Sequence, residues 1–158
     1  MKFGNLFMIM VVGLFTVSLT SSAESLQDKQ NREKALTGKS HKHALEDAAK
    51  KCGKDIGMEV NWDSFAGKYD GGHKEGSAAG YCVTVMDGVC NVCEKGADAK
   101  AAVAGKVTKV HCSYKEGVTT KGFPTDGLKL NGTTLEATYD WKTGNIQDGT
   151  KSFLMGKL

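Results

Sequence analysis

Residues 81–93, YCVTVMDGVCNVC, decide how this chain is read. As a strand, Tyr81, Val83 and Val85 alternate and Asp87-Gly88 turns the chain. As a helix, Cys82, Val85, Met86, Val89 and Cys93 fall at i, i+3, i+4, i+7 and i+11, an apolar stripe that runs unbroken through the Asp-Gly pair. A central glycine costs a helix about 1 kcal/mol. The continuity of the stripe favours the helix.

Working outward, Leu45, Ala48, Ala49 and Cys52 recur at helical spacing, with Glu46/Lys50 and Asp47/Lys51 as acid-before-base pairs four apart. Gly53 can end that helix. Ile56, Met58, Val60 and Trp62 then alternate with polar residues or glycine, the period of a half-buried strand. From Asp63 to Gly80 the chain is rich in Gly, Lys and Asp and reads as one long loop. Downstream, the alanine-rich run from Asp98 to Gly105 predicts a short helix. A second strand follows it, turning Val110, Cys112 and Tyr114 inward. Asn131-Gly132 between two short runs signals a hairpin. Leu128 and Leu130 would face Leu135, Ala137 and Tyr139 across it. Ile146, Phe153, Leu154 and Leu158 predict a closing helix.

This order predicts the α+β class, with a small antiparallel sheet of about four strands and helices packed on one face. Residues 42–158 form the single expected domain. Residues 24–41 carry only Leu26, Ala35 and Leu36 as apolar groups and read as a flexible polar leader with a frayed turn or two of helix. Residues 1–23 match a secretory signal: Lys2, an apolar run from Leu6 to Leu19, and the small-residue exit Ser21-Ser22-Ala23. The expectation is a secreted or periplasmic protein, with no membrane span once the signal is removed.

Leu, Ile, Val and Phe account for only 22 of the 135 residues after Ala23, below the roughly 20% of an ordinary globular domain. Five cysteines in an oxidising compartment can compensate. Of the fifteen ways to leave one unpaired, the reading preferred here joins Cys52 to Cys82 and Cys93 to Cys112, each closing a loop of roughly 20 to 30 residues worth about 3 kcal/mol. Cys90 is then the odd thiol, either buried and inert or linking two chains as a dimer.

Charge removes one class of partner. The residues after Ala23 carry 20 basic and 18 acidic side chains, interspersed, and Arg32 is the single arginine. Nucleic-acid readout leans on the guanidinium fork, so no nucleic-acid partner is expected. Hydrolase signatures are missing too, since Ser77 in Gly76-Ser77-Ala78-Ala79-Gly80 lacks the glycine a nucleophile elbow requires two positions earlier. Asp63, Asp70, Glu75 and Asp140 are scattered acids of the kind that ordinarily sit on a surface. Trp62 and Trp141 lie beside acidic residues at strand ends, where they either cap the core or offer a platform for a sugar or peptide. His41, His43, His73 and His111 complete no tetrahedral metal set, and His41 and His43 near a helix start read as solvated groups, so no cofactor and no metal are expected. Asn131-Gly132-Thr133 is a glycosylation sequon in a eukaryotic host.

Cys90-Asn91-Val92-Cys93 is the most suggestive motif, because a C-x-x-C pair opening a helix has its first thiol activated by the helix dipole. Gly122-Phe123-Pro124-Thr125, Asn131-Gly132 seven residues beyond the proline, and the closing Phe-Leu helix are similar to the end of a thioredoxin fold over about forty residues. That resemblance implies Cys90 as attacking and Cys93 as resolving thiol. The chain departs from it at Asp87-Gly88-Val89, where a buried strand should run into the motif, and at Asp126-Gly127, where an apolar strand should continue. The leading reading is therefore a non-enzymatic binding or envelope-associated module whose partner is a protein, an envelope component or a small molecule. Thiol-disulfide exchange stands second, and copper or zinc held by thiols third.

Overall fold

The computed structural model describes residues 25–158, so the expected signal at 1–23 lies outside the described residues. Residues 81–93 are helical. They form the last thirteen positions of α4 (Glu75–Cys93), whose stripe Cys82, Val85, Met86, Val89 and Cys93 is buried throughout. The helix starts earlier than expected, and the segment read as one long loop also contains a single turn, α3 (Trp62–Phe65). Asn61 caps that turn by accepting the Ser64 N–H.

The polar segment read as a flexible leader is helical as well. Ser25 Oγ accepts the Asp28 N–H at 3.0 Å and opens α1 (Leu26–Thr37), which buries none of its residues. The apolar count there, too low for a core helix, was compatible with a surface helix. The second helix, α2 (Lys39–Cys52), buries His41, Ala44, Ala48 and Cys52 and ends at Gly53, in the left-handed region with its N–H on the Ala49 carbonyl.

The sheet contains β1 (Gly57–Val60), β2 (Lys109–Tyr114), β3 (Leu128–Asn131) and β4 (Thr134–Tyr139) in the order β1-β2-β4-β3. The class is α+β, but the sheet is mixed and not antiparallel. Strands β1, β2 and β4 run parallel, and β3 alone is antiparallel, beside β4. The connection from β1 to β2 carries α3, α4 and α5 (Ala97–Lys106), ample for the crossover a parallel pair needs. A π-helical turn (Phe123–Gly127) then leads into β3, which docks outside β4 and leaves β4 beside β2. In the hairpin, Asn131 pairs with Thr134, so the two turn residues are Gly132, at φ 58°, and Thr133. The turn sits one residue later than the Asn-Gly signal suggests, because glycine takes the first central position.

Alternation gives the sheet two unlike faces. Val60, Val110, Cys112, Leu135, Ala137, Tyr139 and Leu128 are buried against the helices, whereas Glu59, Lys109, His111, Ser113, Glu136 and Thr138 occupy the opposite, polar face. Lys109 Nζ and Glu59 Oε2 pair there at 2.8 Å.

Helix α4 is the centre of the helical layer. It packs on β1 and β2, on α2 and α5, and most extensively on α6 (Ile146–Met155). Two disulfides fix it: Cys52–Cys93 joins the last residues of α2 and α4, and Cys82–Cys112 joins the middle of α4 to β2. This replaces the expected Cys52–Cys82 and Cys93–Cys112 pairing. Cys82 and Cys93 share a stripe about 16 Å long, so each reaches only what packs at its own level of the helix. Cys90 is the free cysteine, buried.

Gly88 sets how close α6 can come. A Cβ there would stand 2.6 Å from the Gln147 carbonyl and 2.6 Å from Thr150 Cβ, both in the first turns of α6. The former contact is with backbone and cannot rotate away. Gly88→Ala should therefore lower stability by about 2 kcal/mol despite alanine's better helix propensity, read as a lower denaturant midpoint. A midpoint equal to or above that of the parent would show that α4 and α6 are farther apart.

Candidate functional site

Parallel strands deliver their carboxyl ends to one side of a sheet, and here those ends are followed by aromatic residues. Trp62 and Phe65 come after β1, Tyr114 closes β2, and Tyr139 with Trp141 closes β4. Tyr69 and His73 join them from the loop after α3, and Tyr81 from α4. Phe65, fully buried, lies at the centre, with its ring centroid 5.5 to 6.5 Å from those of Trp62, Tyr69, Tyr114, Tyr139 and Trp141. His73 stacks on Trp141 at 4.4 Å with the rings 10° apart. The local sequence dictates that approach: Asp70-Gly71-Gly72-His73 is a turn closed by the His73 N–H on the Asp70 carbonyl at 2.8 Å, and Gly71 and Gly72 adopt φ 52° and 87°.

The polar ends of three of these rings are anchored. Trp141 donates its indole N–H to the Lys68 carbonyl at 2.6 Å, Tyr81 its hydroxyl to the Trp141 carbonyl at 3.1 Å, and Tyr139 its hydroxyl to the Ala78 carbonyl at 2.7 Å. The Tyr69 hydroxyl, by contrast, is buried with no hydrogen-bond partner. Burial pushes its pKa up to about 12, and the Glu75 carboxylate adds to the rise. The Tyr114 hydroxyl is also held above its usual range, by burial and then by Glu116, Asp140 and Asp70.

Asp140 is buried, contrary to the surface role expected of the scattered acids. Its Oδ2 accepts the Gly117 N–H at 3.0 Å and its Oδ1 the Lys142 N–H at 2.8 Å, tying the end of β4 to the loop after β2. With Asp70, His73, Tyr114, Glu116 and Trp141 it lines an open cleft of about 430 Å³. Three carboxylates, three rings and one lysine, Lys142, meet there. Of the residues singled out in the sequence, Asp70, Asp140, His73 and Trp141 come together. Asp63, Glu75 and Ser77 do not line this cleft. Trp62 belongs to the aromatic cluster, where Arg32 of α1 lies 5.5 Å above its ring, but it does not line the cleft. Tyr114 and Glu116 were missed as site residues, although a strand that ends in an aromatic and an acid was a readable signal.

The cysteines take the remaining chemistry elsewhere. Cys90 and Cys93 close α4 instead of opening a helix, so the negative end of the dipole faces them. Cys93 is bonded to Cys52, and burial pushes the Cys90 thiol up to about 11. A thiol held protonated is a poor nucleophile. Four sulfurs in disulfides leave no thiol set for copper or zinc, and among the described residues no three His, Cys, Asp or Glu side chains gather to hold a metal ion. His41, expected to be solvated, is 6% exposed.

No family model, curated protein or solved structure matches the chain.

Two outcomes follow. Cys90 should resist an alkylating reagent in the native protein at neutral pH and react once the chain is unfolded. Rapid labelling of the native protein would mean that the thiol is neither buried nor raised. Tyr69 keeps its proton in the fold up to about pH 12, whereas in the unfolded chain it ionises near its ordinary value of 10. Its contribution is complete below pH 10 and is lost as the pH rises towards 12. Phenolate absorbance and unfolding should rise together across that window, and Tyr69→Phe should make the protein more resistant to it. Full ionisation near pH 10 in a folded protein would contradict this.

Proposed function

We propose that this small α+β domain, stabilised by two disulfides, is exported and acts as a non-enzymatic binding module, with the aromatic end as its ligand surface. No helix among the described residues is long and apolar enough to cross a membrane. The observation that carries this reading is the gathering of half-buried rings and carboxylates around one cleft at the carboxyl ends of three parallel strands. In open sheets built of parallel strands, this is the end at which ligands bind.

The cleft chemistry supports a saccharide with neutral or amine-bearing rings. Sugar C–H faces pack on aromatic rings, and sugar hydroxyls or ammonium groups donate to carboxylates such as Asp70 and Glu116. Those carboxylates repel an acidic glycan. Asp140 itself is engaged by the backbone amides of Gly117 and Lys142, one on each oxygen, which leaves Asp70 and Glu116 to meet the ligand.

The test is a fluorescence titration of a Trp62→Phe protein, in which Trp141 is the remaining tryptophan of the mature chain. Oligomers of glucosamine and of N-acetylglucosamine are compared with polygalacturonate. At least one of the first two should shift the Trp141 emission, and Tyr114→Ala or Glu116→Gln should weaken the effect tenfold or more. Emission unchanged by either, or equal binding of polygalacturonate, would sink the proposal.

A further inference from the structure

A second concave surface lies apart from the aromatic cleft, and the disulfide that joins α2 to α4 explains it. Cys52 and Cys93 are the last residues of their helices, so α2 and α4 lie side by side and point the same way. Parallel helices bring like ends of their dipoles together. Their carboxyl ends meet at the disulfide, and their amino ends meet at a groove of about 520 Å³ that α1 helps to wall.

We infer that this groove is a binding site for a small organic anion, with its carboxylate or phosphate head at the amino end of α2 and an apolar body along α4. Four observations support it. The first turn of α2 contains no acidic residue and no side chain caps it, leaving its leading N–H groups to another acceptor. Lys34, Lys39 and Lys74 line the groove against the single acid Glu75. Lys34 lies in the last turn of α1 and offsets the carbonyl end which that helix brings to the same place.

His41 is the third and independent observation. It lines the groove from the first turn of α2, is 6% exposed, and its Nδ1 is buried without a hydrogen-bond partner. A buried ring nitrogen without a partner is unfavourable, and a hydrogen-bonding group reaching it from the groove would satisfy it. Burial lowers the His41 pKa, which keeps the ring neutral at pH 7 and able to offer either a donor or an acceptor to the head group.

The floor is the fourth. Ala79, Gly80 and Val83 of α4 and Ala35 of α1 give the groove an apolar stretch beyond the lysines. A Cβ built on Gly76 or on Gly80 meets nothing within 4 Å, so the chain leaves open space above α4 where most helices carry side chains. Head and body together describe a medium-chain carboxylate or alkyl phosphate.

The test uses the folded chain with its disulfides intact, and octanoate, acetate and inorganic phosphate as probes. Octanoate should move the His41 ring resonances in NMR and bind at least tenfold tighter than acetate or phosphate. Gly80→Leu fills the groove without a clash and favours helix, so it should keep the fold by circular dichroism while weakening octanoate tenfold or more. Lys39→Glu should weaken it similarly. Because Gly80 lies outside the aromatic cleft, saccharide binding should survive Gly80→Leu, which separates failure here from failure there. Equal binding of acetate and octanoate, unmoved His41 signals, or a Gly80→Leu protein that binds octanoate like the parent would overturn the proposal. Binding to anionic lipid vesicles without binding of free octanoate would overturn it in favour of a membrane surface.

Discussion

Everything in this structure hangs on α4 being held at two heights by sulfur. The chain has few large apolar side chains, and many of its buried positions are alanine, valine or cysteine. Closing loops of 41 and 30 residues removes unfolded-state entropy worth about 4 kcal/mol each in the chain-entropy model. Domains of this kind have roughly 5 to 15 kcal/mol of total stability. The two cross-links are therefore comparable with the whole margin. Cys82–Cys112 sets α4 on the central part of the sheet, and Cys93–Cys52 sets the direction of α2 beside it. The aromatic end and the lysine-lined groove both inherit their positions from that arrangement.

Much of the fold was legible where one periodicity sufficed. The stripe from Cys82 to Cys93 gave α4 in spite of Gly88, and the alternation around Val110 and Cys112 gave β2 with the correct face inward. The hairpin and α6 followed from turn chemistry and a short apolar run. What failed needed knowledge of direction. The sheet was read as antiparallel from the order of elements, although the 48 residues between Val60 and Lys109 leave room for the long crossover that a parallel pair needs. The disulfide pairing failed for the same reason, since spacing does not say which end of α2 lies beside which end of α4.

The candidate site was less legible than the fold. Trp62, Phe65, Tyr69, His73, Tyr81, Tyr114, Tyr139 and Trp141 are spread over 80 positions, and only the common direction of β1, β2 and β4 collects them at one end. His41 illustrates the opposite failure. Read alone, a histidine near a helix start is a surface group; in the fold it belongs to the buried face of α2 with Ala44 and Ala48. Polar composition concealed α1 itself, whose value lies in the wall it forms and not in the core it fills.

The most direct measurement is a disulfide map of the unreduced protein, with free thiols alkylated after denaturation. Trypsin alone leaves Cys82, Cys90 and Cys93 in one peptide, residues 75–95, so cleavage at Met86 by cyanogen bromide must be added. The structure predicts that the Cys52 peptide, residues 52–54, is joined to residues 87–95. The Cys112 peptide, residues 110–115, should be joined to residues 75–86, and the alkyl group should fall on Cys90. The crossed pattern, with 52–54 on 75–86 and 110–115 on 87–95, would contradict the parallel packing of α2 and α4, as would a closed Cys90–Cys93 ring.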